Sequence, residues 1–244
     1  MSNFEKVKQG ADSFHKRLGR IKAESAVDFP WYPYDTMANL NHIDRILPRE
    51  YDFLFEGSKS IADIGAADGD FAFYFESLSN KVDVYDYGPT NMNGMRGVRC
   101  MKEKLNSSVN IYEVDLDSQM KLHGNYDLVF LLGILYHLKN PYYILETLAK
   151  ACKYLFVSTR VCRHFTAGTQ DVSEYAAAYL LGPAECNNDA TNYWIFTQAG
   201  LHRICERAGW NIASTTTVGD LEASNPQDLD HDERAFAFLK SRYF

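Results

Sequence analysis

At 244 residues with 46% hydrophobic side chains, the chain can bury a sizeable core as one large domain or as a domain with a cap. A formal net charge of -7 and a pI near 5.5 argue against an extended phosphate-binding surface, which disfavours nucleic acid as a substrate. Five scattered cysteines without a Cys-x-x-Cys pair predict reduced thiols and no metal centre, and the lack of a bilayer-length apolar run or an apolar signal core predicts a cytoplasmic protein away from membranes.

Residues 2–24 place Phe4, Val7, Phe14, Leu18 and Ile21 at three- and four-residue steps among many Lys and Arg, which predicts a surface helix with a solvated basic face. Asp28-Phe-Pro-Trp-Tyr-Pro-Tyr34 is aromatic and stiffened by two prolines. Trp31 and Tyr34 would pack over a bound ligand or plug the domain edge. A helix is expected at about 36–47, stopped by Pro48.

Ser60-Ile-Ala-Asp-Ile-Gly-Ala-Ala-Asp-Gly-Asp-Phe71 reads as a buried strand, a glycine turn and a helix start. Gly65 and Gly69 permit a sharp turn and close approach to a ligand, with the free N–H groups of the following helix aimed back over it. A dinucleotide fingerprint would have glycine at position 67; here it is Ala67. Asp63, Asp68 and Asp70 would repel a diphosphate and suit a ligand bearing a sulfonium and an ammonium, such as S-adenosylmethionine. Lys81–Asp86 alternates as a second strand and ends in an acid about twenty residues beyond the turn, where Asp86 can accept two ribose hydroxyls. Gly88, Pro89 and Asn91 then punctuate a loop leading to a helix that ends near Leu105.

A third strand is expected at 108–115, ending where Asp115 and Leu116 could meet an adenine. Tyr126–Leu132 is almost continuously apolar, as a central strand covered on both faces must be, and Leu132, Gly133, Tyr136 and His137 follow at its carboxyl end. Pro141 opens the next helix, and 154–159 is a fifth strand. Residues 160–196 are too long for a plain connection and predict a lid with a helix at about 173–180 and a polar, aromatic run, 187–194. A helix from Thr197 to about Ala208, a strand at 211–217, an acidic loop at 219–233 read as a solvated connection, and a closing strand at 235–240 complete the chain.

The glycine turn, the acid after the second strand, Val-Asp-Leu116 and Tyr-Asp-Leu-Val-Phe130, in that order, resemble the class I S-adenosylmethionine-dependent methyltransferases across about residues 50–244. Gly133-Ile-Leu-Tyr-His-Leu-Lys-Asn-Pro141 resembles, more loosely, the bacterial enzymes that modify tRNA wobble uridine by methyl or carboxymethyl transfer. The resemblance implies an α/β, Rossmann-like fold: a seven-stranded, mostly parallel sheet in the order 3-2-1-4-5-7-6, its last strand antiparallel, with helices on both faces and a lid insertion after strand five. Residues 1–49 would form a helical and aromatic cap on a cofactor-binding domain spanning 50–244. It implies cofactor contacts at Asp63, Gly65, Ala66, Gly69, Asp86, Tyr87, Asp115, Leu116, Leu132 and Gly133, and it aligns Tyr136 and Arg234 with residues that hold the carboxylate of a modified cofactor in the tRNA enzymes.

Methyl transfer from a sulfonium is an in-line displacement, so the protein must chiefly align the acceptor and exclude water. A hydroxyl or acidic carbon acceptor gains from a base, and His137 is the first candidate, with Tyr136 orienting substrate or cofactor. Arg160, His164, Asn192, Tyr193, Trp194 and Arg234 are candidates to face the acceptor. The leading expectation is O-methylation of a small, hydroxylated or sugar-like molecule. The alternatives are transfer to tRNA, a binding module without catalysis, and an NAD-dependent oxidoreductase; assembly as a homodimer is left open.

Overall fold

A computed structural model describes residues 1–166 and 170–244, which divide into two compact units, Met1–Phe130 and Leu131–Phe244. In the first unit, helix α1 (Asn3–Glu24) starts from a capping box in which the Ser2 hydroxyl accepts from the Glu5 N–H and the Glu5 carboxylate accepts from the Ser2 N–H. α1 is the expected surface helix, with Lys6, Lys16, Arg17 and Arg20 exposed and an apolar stripe facing inward. Phe4, Val7, Ala11 and Leu18 are buried, Phe4 packs on Phe55 with ring centres 4.6 Å apart, and the Tyr74 hydroxyl donates to the Val7 carbonyl. The expected helix at 36–47 divides into a 3-10 turn at Thr36–Ala38, capped by the Asp35 carboxylate, and helix α2 (Asn39–Ile46); a second 3-10 turn spans Arg49–Phe55.

Strands β1 (Ser60–Ile64), β2 (Lys81–Asp86), β3 (Asn110–Glu113) and β4 (Tyr126–Leu132) lie in the order β3-β2-β1-β4 and are all parallel, with Ile64 opposite Tyr85 and Asp63 opposite Phe130. Helices α3 (Asp70–Ser77) and α4 (Arg96–Leu105) supply two of the connections. β3 starts later than its sequence suggested, since the Ser108 N–H and hydroxyl both bond to the Glu76 carboxylate. Phe71 and Phe75 of α3 close on Phe130 of β4 at ring-centre distances of 4.8 and 4.9 Å, which ties the helix that follows the glycine turn to the sheet beneath it.

The second unit is built on β5 (Cys152–Val161), which pairs antiparallel with β9 (Glu233–Ser241) from Tyr154↔Lys240 to Val161↔Glu233. β8 (Trp210–Gly219) pairs antiparallel with β9 through an irregularity between Ile212 and Ser214. These three are the expected fifth, sixth and seventh strands in the expected order 5-7-6, the last antiparallel. The insertion adds β6 (Ala178–Leu180) and β7 (Trp194–Phe196), bringing the described strands to nine. The helix expected at 173–180 is absent. Helix-favouring Ala176–Ala178 are drawn into turns and a strand because Tyr179 pairs with Ile195 and the Ala177 N–H and carbonyl both bond within the Thr197 turn. Three residues of the expected lid, 167–169, lie outside the described residues.

Helix α5 (Pro141–Ala149) has proline at its first turn, and α6 (Gln198–Arg207) is capped by the Thr197 hydroxyl, which accepts from the Gly200 N–H at 2.9 Å. The 219–233 loop is the expected connection, between antiparallel β8 and β9, and is exposed over much of its length, but its middle is anchored. Ser224 and Asn225 are buried, Ser224 donates to the Glu233 carboxylate at 2.6 Å, and the Arg163 and His164 N–H groups donate to the Ser224 carbonyl at 3.1 and 3.0 Å. No described helix is long and apolar enough to cross a membrane.

Candidate active site

The glycine turn at the carboxyl end of β1 is a backbone construction. Gly65, Ala67 and Gly69 all take positive φ, at 70°, 54° and 81°. The Gly65 N–H donates to the Tyr85 carbonyl at 2.8 Å, and the Gly69 N–H donates to the Ala66 carbonyl at the same distance. A side chain at Gly69 would sit 2.7 Å from both the Phe73 ring and Val98, so φ and packing both demand glycine. Ala67 holds the left-handed region without that freedom, steadied by its N–H donating to Asp86 Oδ2 at 3.3 Å.

Two buried carboxylates face this turn. Asp63, at the end of β1, is pushed up to about 7, first by burial and next by the charge of Asp86; its Oδ2 is buried without a hydrogen-bond partner. Asp86, at the end of β2, is pushed up to about 6 by burial, against three stabilising donors: the Tyr87 N–H and the Asn91 amide, both at 2.8 Å, and the Ala67 N–H. Asp115 bonds within its own turn, accepting from the Asp117 N–H at 2.9 Å and the Ser118 hydroxyl at 2.6 Å, with Leu116 buried beside it. These residues fit S-adenosylmethionine: an orphaned, buried carboxylate oxygen, a turn held in left-handed backbone, and an oriented acid after β2 match a cationic amino acid group and a ribose.

The other acids of the loop have a different role from the one expected. Asp68 and Asp70 do not confront a ligand as free charges, because Lys22 of α1 lies 3.1 Å from Asp68 and 2.8 Å from Asp70. Asp68 also accepts from the Tyr32 N–H and the Asn93 amide, each at 2.8 Å, and Asn93 donates to the Pro30 carbonyl and accepts from the Gly97 N–H. The aromatic segment is thereby bound to the glycine turn. Lys22 stands 5.6 Å from the centre of the Trp31 ring and Arg96 stands 4.9 Å from that of Phe29, while Tyr34 remains exposed. Sequence reasoning passed over Lys22, Asn91 and Asn93. Only the repeat of α1, which puts Lys22 one turn beyond Leu18, hinted that its stem would be inward.

In the second unit, Gly133 has φ of 73°, and its N–H donates to the carbonyl and the hydroxyl of Ser158 at 3.0 and 2.9 Å. The chain then turns through a 3-10 segment, Leu135–His137. Tyr136 and His137 have ring centres 4.0 Å apart, and the Arg234 guanidinium lies 5.7 Å from the centre of the Tyr136 ring. Burial raises the Tyr136 phenol, opposed by Arg234. Burial and Arg234 lower His137, opposed by Thr191 and Asp189, with a net downward shift. The insertion joins this cluster: the Tyr193 N–H donates to the Tyr136 carbonyl at 2.9 Å, and the Trp194 indole donates to the Lys139 carbonyl at 3.2 Å. Asn192 is buried, its amide donating to the Cys186 carbonyl at 3.2 Å.

Arg160 is 2% exposed; its guanidinium pairs with Asp232 and donates to the Asn225 and Asp228 carbonyls and to the Cys186 sulfur. His164 bonds to the Glu222 carbonyl at 3.0 Å. Both therefore hold the 219–233 loop. No cluster of metal-ligating side chains occurs among the described residues.

A family model described as a methyltransferase domain matches residues 39–215. No curated protein matches the chain in sequence. Among solved structures, the N-terminal domain of EvdMO1, determined in the presence of S-adenosylhomocysteine (SAH) and D-fucose, superposes with a TM-score of 0.59 at 14% identity, covering 93% of this chain and 97% of that one. An S-adenosylmethionine-dependent methyltransferase from Mesorhizobium loti gives 0.58 at 13% identity, covering 83% and 97%. A 1,6-didemethyltoxoflavin N1-methyltransferase from Burkholderia thailandensis gives 0.52 at 14%, covering 75% and 71%. Enzyme and cofactor together set aside the non-catalytic and nicotinamide readings. A glycine turn held in left-handed backbone, two buried carboxylates at the ends of β1 and β2, and the matched domain lead to one conclusion: the chain belongs to the methyltransferase-domain family and is a class I S-adenosylmethionine-dependent methyltransferase.

Proposed function

We propose that the protein O-methylates a small, hydroxylated acceptor of sugar-like character. The observation that carries this reading is His137, a partly buried imidazole whose Nδ1 is engaged by Thr191 and whose proton affinity is lowered, so that it is neutral near pH 7 and able to accept the proton of a hydroxyl. The cofactor is held by Asp63, the 65–69 turn and Asp86, with Ala66, Tyr87, Asp115, Leu116, Leu132 and Gly133 as further contacts. When bound, S-adenosylmethionine supplies a methyl group on a sulfonium, whose transfer leaves a neutral thioether. The rest falls to the protein's own side chains. His137 takes the acceptor's proton, Tyr136 and Arg234 bind a polar or anionic group of the acceptor, and Trp31, Tyr34, Asn192, Tyr193 and Trp194 exclude water. Residues 1–49 act as a cap and 160–196 as a lid on the domain formed by 50–244. Support for a sugar-like acceptor comes from the structural neighbour studied with D-fucose.

The test is a panel of hydroxylated small molecules, D-fucose among them, incubated with S-adenosylmethionine and read by released SAH and product mass. Hydroxyl-dependent turnover that falls about a hundredfold or more in His137→Gln supports the reading. Methylation confined to amines, or turnover indifferent to His137, refutes it.

A second reading, transfer to tRNA, is favoured by one observation, the Arg234 guanidinium set against Tyr136, a pair suited to an anionic group. Asp232 already lies 3.1 Å from Arg234 and offsets part of that charge, which weakens it. Salt-sensitive retention of tRNA would support this alternative.

A further inference from the structure

We propose that Thr191 and Asp189 are positioning residues that lock His137 in the Nδ1–H tautomer, leaving Nε2 as the only proton-accepting atom of the ring. The proposal rests on the reading of His137 as the base and names what makes it one. His137 Nδ1 lies 3.2 Å from the Thr191 carbonyl oxygen, which can only accept, so Nδ1 must carry the hydrogen. The same nitrogen lies 3.1 Å from the Thr191 hydroxyl oxygen. That hydroxyl spends its own proton on Asp189 Oδ1 at 2.7 Å, so only its lone pairs face His137. Two acceptors of different kinds thus demand the same tautomer, and Nε2 has no hydrogen-bond partner among the described residues.

The holder is itself held. Asp189 also accepts from the Thr191 N–H at 2.9 Å, and the Asp189 carbonyl accepts from the Asn192 N–H at 3.2 Å. On the other side, the His137 N–H donates to the Ile134 carbonyl at 2.9 Å. Burial would raise the Asp189 carboxyl, but the two Thr191 bonds outweigh it and keep the group ionised. The charged and titratable groups acting on the imidazole are therefore Asp189, which favours its charged form, Arg234, which disfavours it, and the neutral phenol of Tyr136. The arrangement gives a base whose accepting atom is chosen by the lid segment; the 3-10 turn carries the ring but does not set its tautomer.

Nuclear magnetic resonance of the histidine-labelled full chain, with no acceptor present, decides this. The expected wild-type ¹⁵N signature is a protonated Nδ1 and an unprotonated Nε2 at pH 7.5. Asp189→Asn should move the His137 titration midpoint down by about half a pH unit or more, because a favourable negative charge is gone. Thr191→Val removes the hydroxyl acceptor but keeps the carbonyl, so it should weaken the Nδ1–H signature without reversing it, and Thr191→Ser should restore it in full. A merely structural segment would alter none of these once folded. An Nε2–H tautomer in the wild type overturns the proposal, even if both variants fail to fold. So does an unmoved or raised midpoint in a folded Asp189→Asn. The expected signature without methylation of any hydroxyl would instead leave the proposal standing and remove the reading of the reaction.

Discussion

The cofactor turn of the first unit and the Tyr136–His137 cluster of the second are built on different plans. The turn is local: Gly65, Ala67 and Gly69 sit within five residues, and the groups that matter are their dihedrals, their N–H groups and two acids at the ends of adjacent strands. The cluster is assembled from afar, with His137 bonded across 54 residues to Thr191 and Tyr136 facing Arg234 from β9. A site made of backbone is recognisable as a spacing of residue types. One made of distant side chains has no spacing to recognise.

The contrast is not complete, and its weakest point is Lys22. If the turn were wholly autonomous, a distant helix would not matter to it. Lys22 is 15% exposed in its side chain and is the partner of both Asp68 and Asp70. Lys22→Met strands two buried carboxylates and is expected to cost about 3 kcal/mol of stability near pH 7, read by denaturant unfolding. The deficit should shrink as pH falls and Asp70 protonates, because its pKa is already raised by burial even with Lys22 present. An unchanged midpoint would show the turn to be self-sufficient.

Asp86→Ala tests the local plan from inside. The carboxylate is preset by Tyr87, Asn91 and Ala67. Removing its charge-assisted bonds to a ribose should weaken S-adenosylmethionine by about 2 kcal/mol, or roughly thirtyfold, in calorimetry. Equal affinity would remove Asp86 from the cofactor contacts.

The smallest expected effect is the dependence on pH. Asp63 and Asp86 are carboxylates whose folded pKa values, about 7 and about 6, lie above the unfolded value of 3.8. In the cofactor-free protein their contribution to stability is fully present below about pH 4 and is lost as pH rises through 6 to 7, since the native state binds the extra protons. A cationic ligand favours the ionised forms. Affinity for S-adenosylmethionine should therefore rise by about severalfold between pH 5.5 and 7.5, with proton release seen as a buffer-dependent heat at pH 6.5. Asp63→Asn should remove most of that release, and a flat profile in the wild type would show that neither acid titrates on binding.

Most strands and helices were readable from apolar periodicity, and the cofactor from Asp63, Gly65, Ala67 and Asp86. The errors have a common cause. Residues 173–180 favour a helix by composition, yet Tyr179 pairs with Ile195 in a strand, because ladder bonds to a distant partner outweigh a local preference of a few tenths of a kcal/mol per residue. Arg160 could be read as facing an acceptor, but its guanidinium is consumed by Asp232 and two loop carbonyls. The 219–233 loop is exposed over much of its length, as expected, but the burial of Ser224 and Asn225 that anchors its middle was hidden behind its visible acids.

Taken alone, the sequence determined the strand–turn–helix proposed to receive the cofactor, since left-handed backbone and strand-end acids follow from the identities of neighbouring residues. Tertiary structure alone decided which charges remain for the ligand and which nitrogen of His137 bears the proton. Lys22, Asp189 and Thr191 act through space on groups tens of residues away, and electrostatics and hydrogen bonding depend on distance in the fold, not on separation along the chain.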